Sequence, residues 1–221
     1  MPVKNKKIWL SPTGIESSKR CPRCFWIQYN KKLRQPEGIV SRLANRFDGV
    51  IKRYFDLYRP LGELPPMIEG QVEGMLQHPF QETYFYHHDD DFGMMGKLDE
   101  CLVTKKGTYT PVDHKTASSD PNTKPLIGAY QTQLDVYAFL LEKNKRPSSG
   151  IGHLIYFFQD EGRELHNGFP MQVTIKTLKT SVARAEKEFI KAVKILKGKM
   201  PAPSDKCPFC NWYDEVGKYI K

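Results

Sequence analysis

Met95-Gly96-Lys97-Leu98-Asp99-Glu100-Cys101-Leu102-Val103-Thr104-Lys105-Lys106-Gly107-Thr108-Tyr109-Thr110-Pro111-Val112-Asp113-His114-Lys115-Thr116 is the stretch that decides how this chain is read. Residues 98–104 and 108–113 are β-compatible. Between them, Lys105-Lys106-Gly107 fits a three-residue hairpin loop, a type I turn closed by glycine in the left-handed region. That loop sets the register. Thr104 faces Thr108, and counting outward brings Asp99 opposite Asp113. Opposed side chains share one face, with Cβ atoms about 5 Å apart. Lys115, two residues beyond Asp113, points to the same face.

The hairpin therefore predicts two carboxylates and one ammonium on a single patch. Directly opposed like charges destabilise a strand pair. A divalent cation between them reverses the sign of that term, and two carboxylates with water and a phosphate are a set magnesium favours. An exposed hairpin with ordinary surface charges fits the same residues, so geometry alone leaves both readings open.

Working outward, residues 126–143 predict a helix. On it Gln133 and Tyr137 are four apart and share a face. Upstream, residues 40–58 predict a helix with one buried stripe at Val40, Leu43, Phe47, Val50, Ile51, Tyr54, Phe55 and Tyr58. Pro60, Gly62, Pro65 and Pro66 then break the chain. Residues 11–30 predict one short helix, with Ser11 as N-cap and Pro12 at its first position. Strands are expected at 82–115, 151–158 and 168–175, and a helix at 177–197 that buries Leu178, Val182, Phe189, Val193 and Leu196. The expected fold is mixed α/β, a mixed sheet flanked by helices.

Gly96-Lys97-Leu98-Asp99, then Val112-Asp113-His114-Lys115-Thr116, then Gln133-Leu134-Asp135-Val136-Tyr137 follow in order. This succession of a GxxD strand, a D-x-K strand and a QxxxY helix resembles the RecB-like branch of the PD-(D/E)XK nuclease superfamily. The CRISPR-associated iron–sulfur exonucleases belong to that branch. The resemblance spans residues 10–212. It implies a restriction-endonuclease-like core and metal-dependent phosphodiester hydrolysis, with a role in DNA repair, recombination or CRISPR adaptation. Asp99 and Asp113 would bind magnesium or manganese, and the main-chain carbonyl of His114 would complete the set. Lys115 would orient or activate the attacking water and offset charge on the phosphate. Gln133 and Tyr137 would support the site or contact DNA. Such nucleases usually carry a histidine ligand on the upstream helix; here Asp48 stands at that place. An aspartate is an acceptable ligand for a hard cation, and a solvated charge at the stripe's edge is the other reading.

Five cysteines are present, four of them in two CxxC pairs, Cys21-Pro22-Arg23-Cys24 and Cys207-Pro208-Phe209-Cys210. In a reducing compartment such pairs read as metal ligands before disulfides. Four thiolates would join the two ends of the chain around zinc or an iron–sulfur cluster. The resemblance implies a four-iron four-sulfur cluster. The nucleases resembled usually divide their cysteines one and three, whereas this chain divides them two and two, and zinc is the alternative. The fifth cysteine, Cys101, reads as a small core residue.

With 221 residues, 39% of them apolar and 27% charged, the chain is long enough for one domain. The expected organisation is a single domain over 1–221, with cysteine-bearing elements at 11–30 and 200–221 and a catalytic core at 40–197. Thirty-four basic residues against 25 acidic ones give a net charge of +9, which favours a polyanionic partner such as DNA, single-stranded or at an end. No stretch approaches the length of a membrane helix, and no secretory signal opens the sequence, so a cytoplasmic protein without a membrane partner is expected. No glycine-rich loop ending in GK[ST] occurs, so unwinding would come from a helicase or integrase-type partner. The alternative to an enzyme is a catalytically weakened nucleic-acid-binding or interaction module on the same fold with a zinc staple. Smaller signals are a basic stripe at Arg184, Lys187, Lys191 and Lys194, the aromatics Phe25, Trp26 and Tyr29, and a His87–His88–Asp89–Asp90–Asp91 run that reads as a solvated turn.

Overall fold

Ser11 starts the first helix by accepting a hydrogen bond from the Gly14 amide at 3.2 Å, and Pro12 suits its first turn. This computed structural model describes residues 7–36, 42–160, 168 and 170–220. Where one helix was expected over 11–30 there are two, α1 (Pro12–Arg20) and α2 (Pro22–Asn30). The break falls at Cys21, whose backbone is extended at φ −155° and ψ 105°. A residue before proline is pushed out of the helical region, and proline brings no amide to continue the ladder. Cys21 thus closes α1 and opens α2.

The remaining elements run in the order α3 (Arg42–Tyr58), β2 (Met75–Leu76), β3 (Thr83–His87), β4 (Phe92–Lys97), β5 (Glu100–Val103), β6 (Tyr109–Ala117), α4 (Gly128–Lys143), β7 (Ile151–Gln159), β8 (Met171–Lys179), α5 (Val182–Lys197) and α6 (Pro208–Val216), after an opening strand β1 (Ile8–Leu10). Val40 and the side chain of Leu43, expected on the second helix, and Phe169, expected in a strand, lie outside the described residues. The helix expected from residue 177 begins at Val182, capped by the Ser181 hydroxyl at 3.2 Å from the Arg184 amide. Thr177, Leu178 and Lys179 instead finish β8, which pairs with β7 along its whole length. Alternating apolar and polar residues there suit a strand as well as a helical turn, and the long β7 partner decides.

The strand-rich stretch divides into two sheets. One is three-stranded in the order β1-β4-β3, the other five-stranded in the order β2-β5-β6-β7-β8. β1 lies parallel to β4 and β6 parallel to β7, while the other pairs are antiparallel. The hairpin register matches the loop argument: Val103 pairs with Tyr109 and Glu100 with Val112. Gly107 sits at φ +75° and its amide bonds to the Thr104 carbonyl at 2.9 Å. The ladder ends at Glu100, however. Asp99 lies in the gap where the chain leaves β4 for β5, one residue past the last pair, so it is free of both sheets.

Two apolar cores flank the five-stranded sheet. On one side α4, with α1 and α5, packs Leu134, Tyr137, Phe139, Leu140, Ala185, Phe189 and Leu196 against Leu10, Met94, Cys101 and Leu154. On the other, α3 brings Ile51 and Phe55 onto Leu102, Val112, Ile155 and Phe157, with Ile68 and Leu76 beside them. Val50, expected in the buried stripe, is exposed. Gly96 lets β4 approach α4 closely: a Cβ there would meet Leu140 Cδ1 at 2.6 Å.

Candidate active site

β6 is buried between the two cores, and its alternation sends Asp113 toward α4 and His114 toward α3. Asp113 is 1% exposed. Its carboxylate is paired with the Lys115 ammonium and accepts a 2.6 Å hydrogen bond from Gln133 Nε2. The Gln133 carbonyl oxygen accepts from Lys115 Nζ at 3.1 Å. Gln133 Nε2 also donates to the Tyr137 hydroxyl at 2.8 Å, and that hydroxyl donates to the Lys97 carbonyl at 2.8 Å. The chain Lys97–Tyr137–Gln133 therefore fixes both Asp113 and Lys115 from one helix face, and ties them to the end of β4. Burial pushes the Asp113 carboxyl up to about 7; Lys115 opposes that rise and Asp99 adds to it.

From the α3 side come Asp48 and Lys52, four apart on the helix. Asp99 Oδ2 accepts from the His114 amide at 3.1 Å, while Oδ1 lies 3.0 Å from Lys52 Nζ. Lys52 Nζ is also 3.1 Å from Asp48 Oδ2 and 3.9 Å from Glu82. Burial acts to raise the Asp99 carboxyl, but the Lys52 ammonium outweighs it and holds the group below its usual range. Ligand atoms of Asp48, Asp99 and His114 all lie within 4.8 Å of one another. The His114 ring is buried, which pushes its pKa down to about 4 and keeps it neutral. A cleft of about 320 Å³ opens here, lined by Asn45, Asp48, His114, Lys115 and Tyr130 among others.

The residues expected to act together are thus placed together, by a route that differs in part from the sequence argument. Asp99 and Asp113 are not a cross-strand pair, because Asp99 lies outside the ladder. They meet because the gap between the two sheets turns Asp99 toward β6. Sequence reasoning left Lys52 without a role and treated His114 only as a backbone donor. The Asp48–Lys52 spacing was the available signal for the first; nothing in the sequence marked the second. Oxygen donors from Asp48, Asp99 and Asp113 suit a hard divalent cation, and Lys115 has the charge to meet a phosphate.

The four cysteines converge from opposite ends of the chain. Cys21 and Cys207 are the N-caps of α2 and α6, each followed by a proline in the first turn. Sγ of Cys24 lies 3.6 Å from Cys207 and 3.5 Å from Cys210, and Cys21 lies 3.9 Å from Cys210. All four are free thiols within 4.8 Å of one another. Hydrogen bonds from the Ser204 and Cys24 amides outweigh burial at Cys21 and bring its thiol down to about 7. A single ion with metal–sulfur bonds of about 2.3 Å spaces its tetrahedral ligands about 3.8 Å apart. A four-iron cluster holds each thiolate on its own corner iron, about 6 Å from the next. The separations of 3.5, 3.6 and 3.9 Å lie nearer the first spacing than the second.

Most of the minor signals have local structural roles. Phe25 is fully buried with Tyr29 against it, and Trp26 Nε1 donates to the Gly198 carbonyl at 2.9 Å. Asp89 closes the His87–Asp91 turn by accepting from the Asp91 and Phe92 amides. Arg184 leaves the basic stripe to pair with buried Asp135, and Lys191 pairs with Glu188.

The family model of the PD-(D/E)XK nuclease superfamily matches residues 67–214, which include Asp99, Asp113, Lys115, Gln133 and Tyr137. The chain belongs to this superfamily. Solved structures with a similar course are more distant. A phage-related exonuclease from Haemophilus somnus 129PT aligns at 8% identity over 98% of each chain, with a TM-score of 0.49. SSO0001 aligns at 16% identity over 98% of this chain and 87% of its own, with a TM-score of 0.46. An alkaline exonuclease from Laribacter hongkongensis aligns at 10% identity over 96% and 95%, with a TM-score of 0.42. The assignment rests on the family match, not on these neighbours. No curated protein matches. No described helix is long and apolar enough to cross a membrane.

Proposed function

We propose that this superfamily member is a metal-dependent deoxyribonuclease that hydrolyses phosphodiester bonds, acting on single strands or ends. The observation that carries this is the convergence of Asp99, Asp113 and Lys115 beside an open cleft, with Gln133 and Tyr137 locking the last two. Asp99 and Asp113, with Asp48 and the His114 carbonyl, would hold magnesium or manganese. When bound, that ion supplies charge for the developing phosphorane and acidifies a water. Lys115 orients the attacking water and takes up charge on the phosphate oxygens. Gln133 keeps Lys115 and Asp113 in register, so it is a positioning residue, and Tyr137 positions Gln133.

The four cysteines are proposed to bind one zinc ion, on the sulfur separations given above. That ion staples the ends onto the catalytic core, so that residues 1–221 act as one domain. The excess of basic residues supports DNA as substrate, and a helicase or integrase-type partner would supply the strand. Repair, recombination and CRISPR adaptation are the settings that suit such an activity, in the cytoplasm.

Asp48 where a histidine is usual favours a second reading, a DNA-binding module with weakened turnover. The test is cleavage of end-labelled single- and double-stranded DNA with manganese, magnesium or chelator, beside Asp113→Ala. Metal-dependent cutting lost in the variant is the expected result. Tight DNA binding without cutting in any metal would replace the nuclease with the module.

A further inference from the structure

We propose that the imidazole of His114, through a ring nitrogen, is a ligand of the active-site cation, forming a site with Asp48 and Asp99. The inference rests on the metal-dependent reading above and adds to it a donor that the D-x-K pattern does not supply.

His114 is 8% exposed, and neither ring nitrogen has a hydrogen-bond partner. The ring is wedged between Phe55 and Phe157, with centroids 4.7 and 5.8 Å away. Buried polar atoms in native proteins almost always find partners. A phenylalanine or leucine would fill this slot without burying two unpaired nitrogens. What the slot does offer a nitrogen is the pair of carboxylates at its open end: one donor atom each from Asp48, Asp99 and His114 lies within a 4.8 Å set. Donors around one cation are about 3 Å apart when adjacent and about 4.2 Å when opposite, so a set within 4.8 Å is close to the size of a single coordination sphere. The space between the carboxylates already draws a positive group. Lys52 Nζ stands 3.0 Å from Asp99 and 3.1 Å from Asp48, and its flexible stem lets it withdraw when a divalent ion arrives.

An imidazole donor adds affinity for manganese and later transition ions more than for magnesium. Manganese is therefore the probe. It does not compete for the thiolate site, which softer ions occupy, so the full chain is used as purified. Pulsed electron paramagnetic resonance of the manganese-loaded protein is expected to show nitrogen modulation that disappears in His114→Ala. His114→Phe refills the slot between Phe55 and Phe157. It is expected to melt no lower than the wild type without added metal, yet to bind manganese at least about tenfold more weakly. Modulation that survives in His114→Ala overturns the inference, as does wild-type manganese affinity in His114→Phe. Metal-dependent cleavage lost in Asp113→Ala, but with no nitrogen signal in the wild type, refutes the histidine ligand and leaves the nuclease standing. A wild type that neither binds manganese nor cuts DNA removes both.

Discussion

If the four cysteines hold a metal as proposed, stripping it should unfasten the two ends of the chain, which meet at this site. Cys24 and Cys207 lie in contact, 183 residues apart in sequence. A crosslink closing a loop of that length removes chain entropy from the unfolded state equivalent to about 5 kcal/mol. Four thiolates bind a structural zinc with more than enough free energy to hold such a loop closed. Little else fastens the C-terminal end: Cys210 is the one buried residue of α6, while Trp212, Tyr213, Tyr219 and Ile220 are exposed. For a chain of this size, 5 kcal/mol corresponds to a fall in melting temperature of about 10–20 °C. The assay is thermal denaturation of the full chain before and after treatment with a strong chelator, with metal content measured on the same samples. Cys210→Ser provides the same loss without chelator. Hydrogen exchange should show α6 amides opening first in the stripped protein. Protein verified as free of metal that melts within 2 °C of the loaded form would refute the staple. One zinc per chain without visible absorption is the expected content; iron and sulfide in equal number would replace the single ion with a cluster.

Three further outcomes follow from the same geometry. Lys115→Met should lower the cleavage rate about 10²–10⁴-fold with DNA affinity retained by fluorescence anisotropy, and an unchanged rate would remove Lys115 from the chemistry. Because burial lifts the Asp113 carboxyl to about 7, binding a cation below that pH must first displace a proton; manganese affinity should rise about tenfold per pH unit up to about pH 7 and level above it, measured by titration calorimetry, and a flat profile would contradict that assignment. Arg59 grips buried Glu100 through two nitrogens, at 3.0 and 2.6 Å, and keeps Asp56 and the Gln77 carbonyl as its other partners, so Glu100→Ala removes one of two carboxylates from the guanidinium and should cost about 1.5–3 kcal/mol in urea denaturation; a loss below about 0.5 kcal/mol would show that the pair adds nothing to stability.

Local rules were enough for the hairpin, the α4 face and the cysteine pairs. A glycine at the third loop position fixes register because only one backbone closure suits it, so Glu100 against Val112 follows from the turn alone. Gln133 and Tyr137 share a face because helical spacing requires it. The order of GxxD, D-x-K and QxxxY, with the flanking cysteine pairs, carries the resemblance to the superfamily in the sequence itself. What local rules could not supply was everything set by chain segments meeting from afar. The division of the strands into two sheets depends on β1 pairing with β4, which a three-residue strand does not announce. That division is what frees Asp99 from the ladder and lets it face Asp113, Lys52 and His114 together. Whether residues 177–179 end a strand or begin a helix depends on β7 lying alongside them. The turn of the His114 ring toward Asp48 depends on α3 covering the opposite face of β6 with Phe55. Sequence determines which groups are available and on which face of their own element they stand, because steric and hydrogen-bonding rules act over a few residues. Only the tertiary structure decides which faces meet, because burial of apolar surface is non-directional and is satisfied by the whole chain at once.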